Sequence, residues 1–352
     1  MATQNMQMNL SCPMPALDFD VITLGHGSGG TLMQKLLDSG VFSLLANPIL
    51  DQRHDGAIIP WQGPLAFSTD SYVVSPQFFP GGNIGDLAVN GTVNDLAMCG
   101  AVPKYLSLSF ILEEGLQMAE FWEIMTTIKA ACVRAGIEVV TGDTKVVERG
   151  KGDKIFINTS GIGTLHPKAA VSLQNIRPGD VVLLSNAIAA HGMAIMSVRK
   201  ELAFESEIRS DTRSLSGVIQ KLIDRFGAQI HFLRDPTRGG VASVLNEIAT
   251  DARVGIDIRQ KDIPVEEAVA SACEVLGLDP LYVANEGVFI AVVAEAIAQA
   301  AVDLLRAESE SAQAVAIGEV TSEHTGQVVL TSTIGGRRVV NRLAGEQLPR
   351  IC

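Results

Sequence analysis

Leu106-Ser107-Leu108-Ser109-Phe110-Ile111-Leu112 sets an apolar side chain on every even position, with Ser107 and Ser109 between them. A period of two belongs to a strand with one face on a core and one face outward. On both sides of it the period becomes helical. Upstream, Ile84 to Cys99 reads as a helix that carries Asn94-Asp95 and closes with Gly100 as its C-cap. Downstream, Phe121, Ile124, Met125, Ile128, Cys132 and Ala135 recur at spacings of three and four, an amphipathic helix ended by Gly136. Further strands are read at Ala57-Ile58-Ile59, at Leu65 to Ser68 running into Thr69-Asp70-Ser71, at Glu138-Val139-Val140 leading into Thr141-Gly142-Asp143-Thr144-Lys145, and at Ile155 to Leu165. Helices and strands mixed in this way give an α+β domain that closes near His166-Pro167.

A second domain opens with the turn Ile176-Arg177-Pro178-Gly179-Asp180 and the buried strand Val181 to Leu184. Asp235-Pro236-Thr237-Arg238-Gly239-Gly240 precedes a helix with the core face Val241, Val244, Leu245 and Ile248. A helix from Pro264 to Leu276 follows. Asn285-Glu286-Gly287 then leads into the apolar strand Val288 to Val293, a helix from Glu295 to Arg306 and a strand near Ala314 to Ile317. The expected organisation is therefore a disordered segment 1–20, domains 21–167 and 168–342, and a mobile tail 343–352 without periodicity.

Bulk properties narrow the function. At 352 residues, with 47% hydrophobic and 19% charged side chains, the chain can bury two cores. A net charge of −12 argues against broad binding to nucleic acid or to an anionic membrane, both of which need a basic surface. No apolar stretch reaches the length of a membrane span, and the first 20 residues lack the features of a signal peptide, so the cytoplasm is the expected compartment. Cys12, Cys99, Cys132, Cys273 and Cys352 form no C-x-x-C pair, which suits neither a disulfide framework nor zinc. Cys99, Cys132 and Cys273 sit in apolar helical runs and read as small core residues.

The chemistry-bearing residues cluster in four kinds of sequence. Cys352 is the last residue; it is either a frayed end or a nucleophile whose thiolate needs a pocket to form, because the adjacent carboxylate raises the thiol pKa. Gly25-His26-Gly27-Ser28-Gly29-Gly30 exposes backbone N–H groups suited to a phosphate, or is a plain linker. The pair Gly239-Gly240 before a helix offers a second anion site. Asp70, Asp95 and Asp143, each at an element boundary, are either caps and turn residues or the oxygen ligands of Mg²⁺. Neither G-x-x-x-x-G-K-[ST] nor a strand-linked G-x-G-x-x-G is present, so a nucleotide would be held without those loops.

Taken together, Gly25-His-Gly-Ser-Gly-Gly, Phe67-Ser-Thr-Asp-Ser, Asn90-Gly-Thr-Val-Asn-Asp-Leu-Ala-Met-Cys-Gly, Thr141-Gly-Asp-Thr-Lys-Val, Asp235-Pro-Thr-Arg-Gly-Gly, Asn285-Glu-Gly and the terminal Pro-Arg-Ile-Cys resemble the HypE family of hydrogenase maturation proteins. The match runs in order from about residue 21 to the end. The wider superfamily of ATP-using enzymes, which includes aminoimidazole ribonucleotide synthetase and thiamine-monophosphate kinase, shares the acidic motifs without this tail. The resemblance implies a two-domain aminoimidazole ribonucleotide synthetase-like fold, with N-terminal domains of two copies paired into a β-barrel-like core and ATP bound nearby. It implies ATP-dependent dehydration of a carboxamide on the terminal cysteine to a thiocyanate, which supplies the cyanide ligands of the [NiFe] hydrogenase iron. The implied partners are the carbamoyltransferase HypF and a HypC–HypD complex.

Carried onto this chain, the resemblance makes Cys352 the acceptor and Asp70, Asp95 and Asp143 the Mg²⁺–ATP ligands, with Asn94 beside them. Gly27, Gly29 and Gly30 would lie by the phosphates, as would Asp235 and Arg238. Lys145 and Glu286 would stand near the inward-folded tail as the remaining catalytic residues; pattern alone favours a solvated strand-end lysine and a helix or turn cap. At His54-Asp55 the family often has two adjacent acidic residues; Asp55 stays a candidate for the nucleotide site, while the departure counts against a ligand at His54. Two rivals remain at this point: a small-molecule kinase such as selenide-water dikinase, whose reactive residue lies near the N-terminus, and a non-catalytic nucleotide-binding scaffold.

Overall fold

The computed structural model describes residues 19–53, 56–200, 207–342, 348 and 350–352. In the first half, β1 (Leu65–Tyr72), α1 (Ile84–Met98), β2 (Ala101–Glu113), α2 (Met118–Ala135), β3 (Glu138–Val147) and β4 (Ile155–Leu165) follow one another. The four strands form one sheet in the order β1-β4-β2-β3. The α2 crossover joins β2 to β3, which are parallel; the other neighbours are antiparallel. The alternation that decided the reading of β2 is realised: Leu106, Leu108, Phe110 and Leu112 are buried with Phe121, Ile124, Met125 and Ile128 of α2. The opposite face is open, and there Phe67 is 64% and Ile111 46% exposed.

α1 starts where the Asn83 side chain accepts from the Gly85 N–H at 2.8 Å and Asp86 answers back to the Asn83 N–H, a reciprocal cap. It ends at Gly100, whose φ of 75° turns the chain away into β2. Almost every α1 residue is buried, which a helix achieves only between two layers. One layer is its own sheet. The other is the second domain, through α4 (Ser216–Phe226) and β6 (Ile230–Arg234).

The second domain holds β5 (Val181–Leu184), α3 (Ala190–Arg199), α4, β6, α5 (Gly240–Asp251), β7 (Gly255–Arg259), α6 (Glu267–Leu276), β8 (Ile290–Val293), α7 (Ala298–Arg306), β9 (Val315–Thr321), β10 (Val328–Thr331) and β11 (Arg337–Val340). Its sheet runs β11-β10-β7-β9-β5-β8-β6 and is antiparallel except for β10 on β7. Both faces are covered. Ile290 and Val292 of β8 point into the core shared with α3, α5 and α6, whereas Ala291 and Val293 point into the core shared with α4 and α7. That is why Val288 to Val293 is continuously apolar instead of alternating.

Three expectations are corrected. Ala57-Ile58-Ile59 is in no strand; Pro60 follows it, Ile58 is 69% exposed, and no neighbouring strand pairs with it. Cys99 is not a core residue but lies exposed at the C-cap of α1, beyond the last turn that the core covers. The helix expected from Pro264 begins at Glu267. Cys12, His54, Asp55, Gly345, Pro349 and most of the segment 1–20 lie outside the described residues.

Candidate active site at the domain junction

Each residue of Asn285-Glu286-Gly287 has its own reason to be where it is. The Asn285 side chain accepts from the Ala189 N–H at 2.7 Å and donates to the Pro236 and Val283 carbonyls at 2.8 and 3.1 Å, so it ties three loops together. Gly287 must be glycine because a Cβ there would stand 1.8 Å from the Asp211 carbonyl oxygen. Asp211, itself buried, accepts from the Glu286 N–H at 3.2 Å and from the Gly287 N–H at 3.0 Å. Glu286 is thereby held with its side chain buried and Oε1 without a hydrogen-bond partner. Burial pushes its carboxyl well above the usual range, and the charges of Asp211, Asp235, Asp70 and Asp95 add to that.

Around Glu286 the junction is acidic. Ser68 on β1 donates to Asp95 on α1 at 2.7 Å. Burial raises the Asp95 carboxyl, the Ser68 bond opposes this, and the charge of Asp70 adds to the rise. Asp235 is raised to about 7, first by burial and then by the charge of Asp95. Asn94 is engaged otherwise: its amide donates to the Arg213 carbonyl at 3.0 Å and accepts from the Leu215 N–H at 2.8 Å. It clasps the two domains.

The C-terminal tail occupies this junction. The Val73 N–H donates to the Cys352 carbonyl at 3.0 Å and the Ser75 N–H to the Arg350 carbonyl at 3.3 Å, which extends the chain end along the segment after β1. Arg350 donates from Nε to the Val73 carbonyl at 3.0 Å and pairs with Asp153. Ile351 is buried in the first domain's core, and Leu348 packs against the cores of both domains. The Cys352 thiol is pushed up to about 12, by burial first and then by Glu286, with Arg238 opposing and Asp70 adding. Docked, the residue is therefore a neutral thiol and no nucleophile. The cation beside it is Arg238.

Lys145 and Asp143 lie elsewhere. They bond to each other at 2.8 Å, and that bond holds the Asp143 carboxyl below its usual value. Asp143 pairs with Ser109 on the open face of the sheet, whereas Asp70 pairs with buried Thr159 on the covered face. Two strands also intervene, about 14 Å at ordinary strand spacing. One chain thus brings Asp70, Asp95, Asp235, Arg238, Glu286 and Cys352 together but leaves Asp143 and Lys145 apart. The glycine loop goes with the latter group: a Cβ on Gly27 would stand 2.8 Å from Val146, so only glycine lets the loop lie on the end of β3, and Gly29-Gly30 continues from there to the helix Thr31–Lys35.

Among the described residues no three His, Cys, Asp or Glu side chains form a ready metal cage. A cluster of hard carboxylate oxygens with an unpaired buried Glu286 oxygen nonetheless fits Mg²⁺, which commonly takes one or two carboxylates and completes its shell with nucleotide phosphates. Four residues of the junction escape a reading of the sequence: His191, Arg199, Ser210 and Asp211. The signal for the first was a lone histidine in the apolar run Ala189-Ala190-His191-Gly192, and for the others a polar stretch with no motif.

The junction can be compared with known proteins. Residues 53–165 match the N-terminal domain, and residues 177–331 the C-terminal domain, of the AIR synthase related proteins. The carbamoyl dehydratase HypE of Rhizobium leguminosarum bv. viciae is 47% identical over 332 residues, 94% of this chain and 95% of that protein. A crystal structure of the hydrogenase maturation protein HypE in complex with ATP superposes with a TM-score of 0.90 at 47% identity, covering 94% of this chain and 99% of that one. HypE from a HypE–HypF complex gives a TM-score of 0.78 at 44% identity, over 89% of this chain and all of that one. Similarity of this extent, running through both domains, means that the chain belongs to the HypE carbamoyl dehydratase family, on the two-domain AIR synthase related fold.

Proposed function

We propose that the chain dehydrates a carboxamide carried on its own Cys352 to a thiocyanate, with ATP as the second substrate, in [NiFe] hydrogenase maturation in the cytoplasm. One observation carries this: the chain's last residue is docked in the chain's own acidic junction, beside Glu286, Arg238 and Asp70. A substrate delivered on a tail is intramolecular, which removes the entropic barrier of bringing two reactants together.

The balance is thiocarbamate plus ATP giving thiocyanate, ADP, hydrogen phosphate and a proton, with the amide oxygen leaving on phosphate. Transfer of the γ-phosphoryl group to that oxygen replaces a poor leaving group by a good one. Such transfers are catalysed mainly by positioning and charge neutralisation. Asp70 and Asp95 would hold Mg²⁺ with the phosphates, and the ion would neutralise their charge. Glu286 takes an amide proton as the nitrile forms; burial raises the proton affinity of its carboxylate. Arg238 faces the developing negative charge. Loading with the carbamoyl group from HypF belongs to an undocked tail, since the docked thiol is protonated; delivery to a HypC–HypD complex belongs there too.

Two copies pair through the open face of the first sheet. That pairing would bury Phe67, Leu65 and Ile111, whose exposure would otherwise stand as an apolar patch. It would also put Asp143, Lys145 and the Gly27 loop at the interface, where they serve nucleotide and tail in the assembled enzyme. Light scattering of the purified protein at micromolar concentration should give twice the chain mass; a monomer would remove this role for Lys145.

The reaction is tested on the C-terminal peptide by mass spectrometry. With the transferase, carbamoyl phosphate and ATP, the peptide ending at Cys352 should first gain a carboxamide and then lose one water. A carboxamide that persists with ATP present, on an enzyme that binds the nucleotide, would defeat the dehydratase reading.

A further inference from the structure

His191 is fully buried near the start of α3, in edge-to-face contact with Phe79. A buried imidazole needs partners for both nitrogens. Its Nε2 lies 2.7 Å from the Ile351 carbonyl oxygen, which can only accept, so Nε2 carries the proton. Its Nδ1 lies 2.8 Å from the Ser210 hydroxyl. That hydroxyl accepts from the Thr212 N–H at 3.1 Å, which leaves its own proton for Nδ1. The ring is thus neutral, in one tautomer, with its free N–H aimed at the tail. Burial, which lowers its pKa, works in the same direction.

The three terminal residues are all read through their carbonyls. Arg350 is read by the Ser75 N–H and by Arg199, Ile351 by His191, and Cys352 by the Val73 N–H. None of these bonds touches the thiol. The same docked register can therefore be kept whether the sulfur is free or carries a carboxamide. His191 is the member of this set that also reaches the catalytic loop. Its partner Ser210 is followed directly by Asp211, whose carboxylate holds the Glu286 and Gly287 N–H groups.

We infer that His191 is a positioning residue for the dehydration step: it latches the tail backbone at Ile351 and, through Ser210 and Asp211, holds the docked sulfur and the Glu286 carboxyl in one register. The role rests on the reading of Cys352 as the modified residue, but the latch itself can be measured without any activity. With the tail away, the buried Nε2 proton loses its acceptor, which favours the docked state.

The test uses the full chain with His191→Asn and His191→Gln. A Gln amide nitrogen can stand where Nε2 stands; an Asn amide reaches only to the Nδ1 position. Alkylation of Cys352 by iodoacetamide, followed on the C-terminal peptide, reads the docked state alone. His191→Asn should speed alkylation about tenfold, the effect of one lost buried hydrogen bond. In a single turnover of carbamoylated protein with ATP it should slow dehydration about 10²-fold, the usual consequence of a misplaced reacting group. His191→Gln should restore most of both. Ser210→Ala, which removes the donor to Nδ1 without touching the ring, should speed alkylation a smaller amount, roughly threefold. It also keeps the test open should both ring variants fail to fold. Unchanged alkylation in folded His191→Asn, or equal behaviour of the Asn and Gln variants at matched melting temperatures, would overturn the latch; so would unchanged alkylation in Ser210→Ala. If wild type fails to dehydrate while His191→Asn still exposes Cys352, the latch stands and the dehydratase reading falls.

Discussion

Cys352→Ala is expected to end modification of the chain altogether while ATP binding and assembly stay close to wild type. Few residues combine so large a chemical effect with so small a structural one. In the proposed reaction the thiol forms the S–C bond to the carboxamide, whereas docking rests on the carbonyls of residues 350 to 352 and on the buried Ile351 side chain. Cys352→Ser should fail as well, since a serine hydroxyl is not appreciably ionised near neutral pH and accepts a carbamoyl group poorly. Removal of Cys352 alone should match removal of residues 346–352 in activity. The mass of every cysteine peptide after incubation with the transferase, carbamoyl phosphate and ATP decides the matter. Cys99 is the natural control because it is exposed, while Cys132 and Cys273 are buried thiols pushed up to about 12 and about 11. A carboxamide found on Cys99 in the Cys352→Ala protein, at the wild-type rate, would displace the tail from its central place.

The second large effect is expected for Glu286→Gln. Loss of a positioned proton acceptor costs about 10²–10⁴-fold in rate, and dehydration of the carbamoylated tail should fall within that range. Glutamine has nearly the same volume, and the loop around it is held by backbone N–H groups, so the fold should survive. The pH dependence has a definite sign. Glu286 is raised in the folded protein, so its ionisation works against the fold from its ordinary pKa upward. Stability assignable to this residue is complete at low pH and is lost as pH rises. The Gln variant, free of that loss, should gain melting temperature relative to wild type as pH rises above the ordinary carboxylate range. Equal dehydration rates in the two proteins would remove Glu286 from the chemistry. A relative gain on acidification would show that its carboxyl is not held high.

The carboxylates of the junction differ in how they became legible. Asp70 ends a strand pattern, Asp95 sits in a helix closed by a glycine, and Glu286 precedes an apolar strand; each is marked by its immediate neighbours. Asp211 has no such mark. It matters because a distant turn passes so close to its backbone that Gly287 could carry no side chain, a contact between residues 76 apart. His191 reads as a core residue in its apolar run, and it is one; the tail that it meets is 160 residues away. For Lys145 the motif does not tell which face of the sheet it takes; strand pairing sets it on the open face, beside Ile111 and Asp143.

Local periodicity and end signals were enough to name the first sheet's strands, both of its helices, the glycine loop, the acidic boundary residues and the terminal cysteine, because each depends on side chains within one or two turns of chain. Which carboxylates share a site depended instead on strand order and on the side of the sheet each residue faces. A shift of one residue in a strand reverses that side, and β2 and β3 carry a register irregularity at Leu106/Ser107 that no short window of sequence reveals. The docking of Ile351 and Cys352 between two domains likewise arises from surfaces that exist only once both cores have formed.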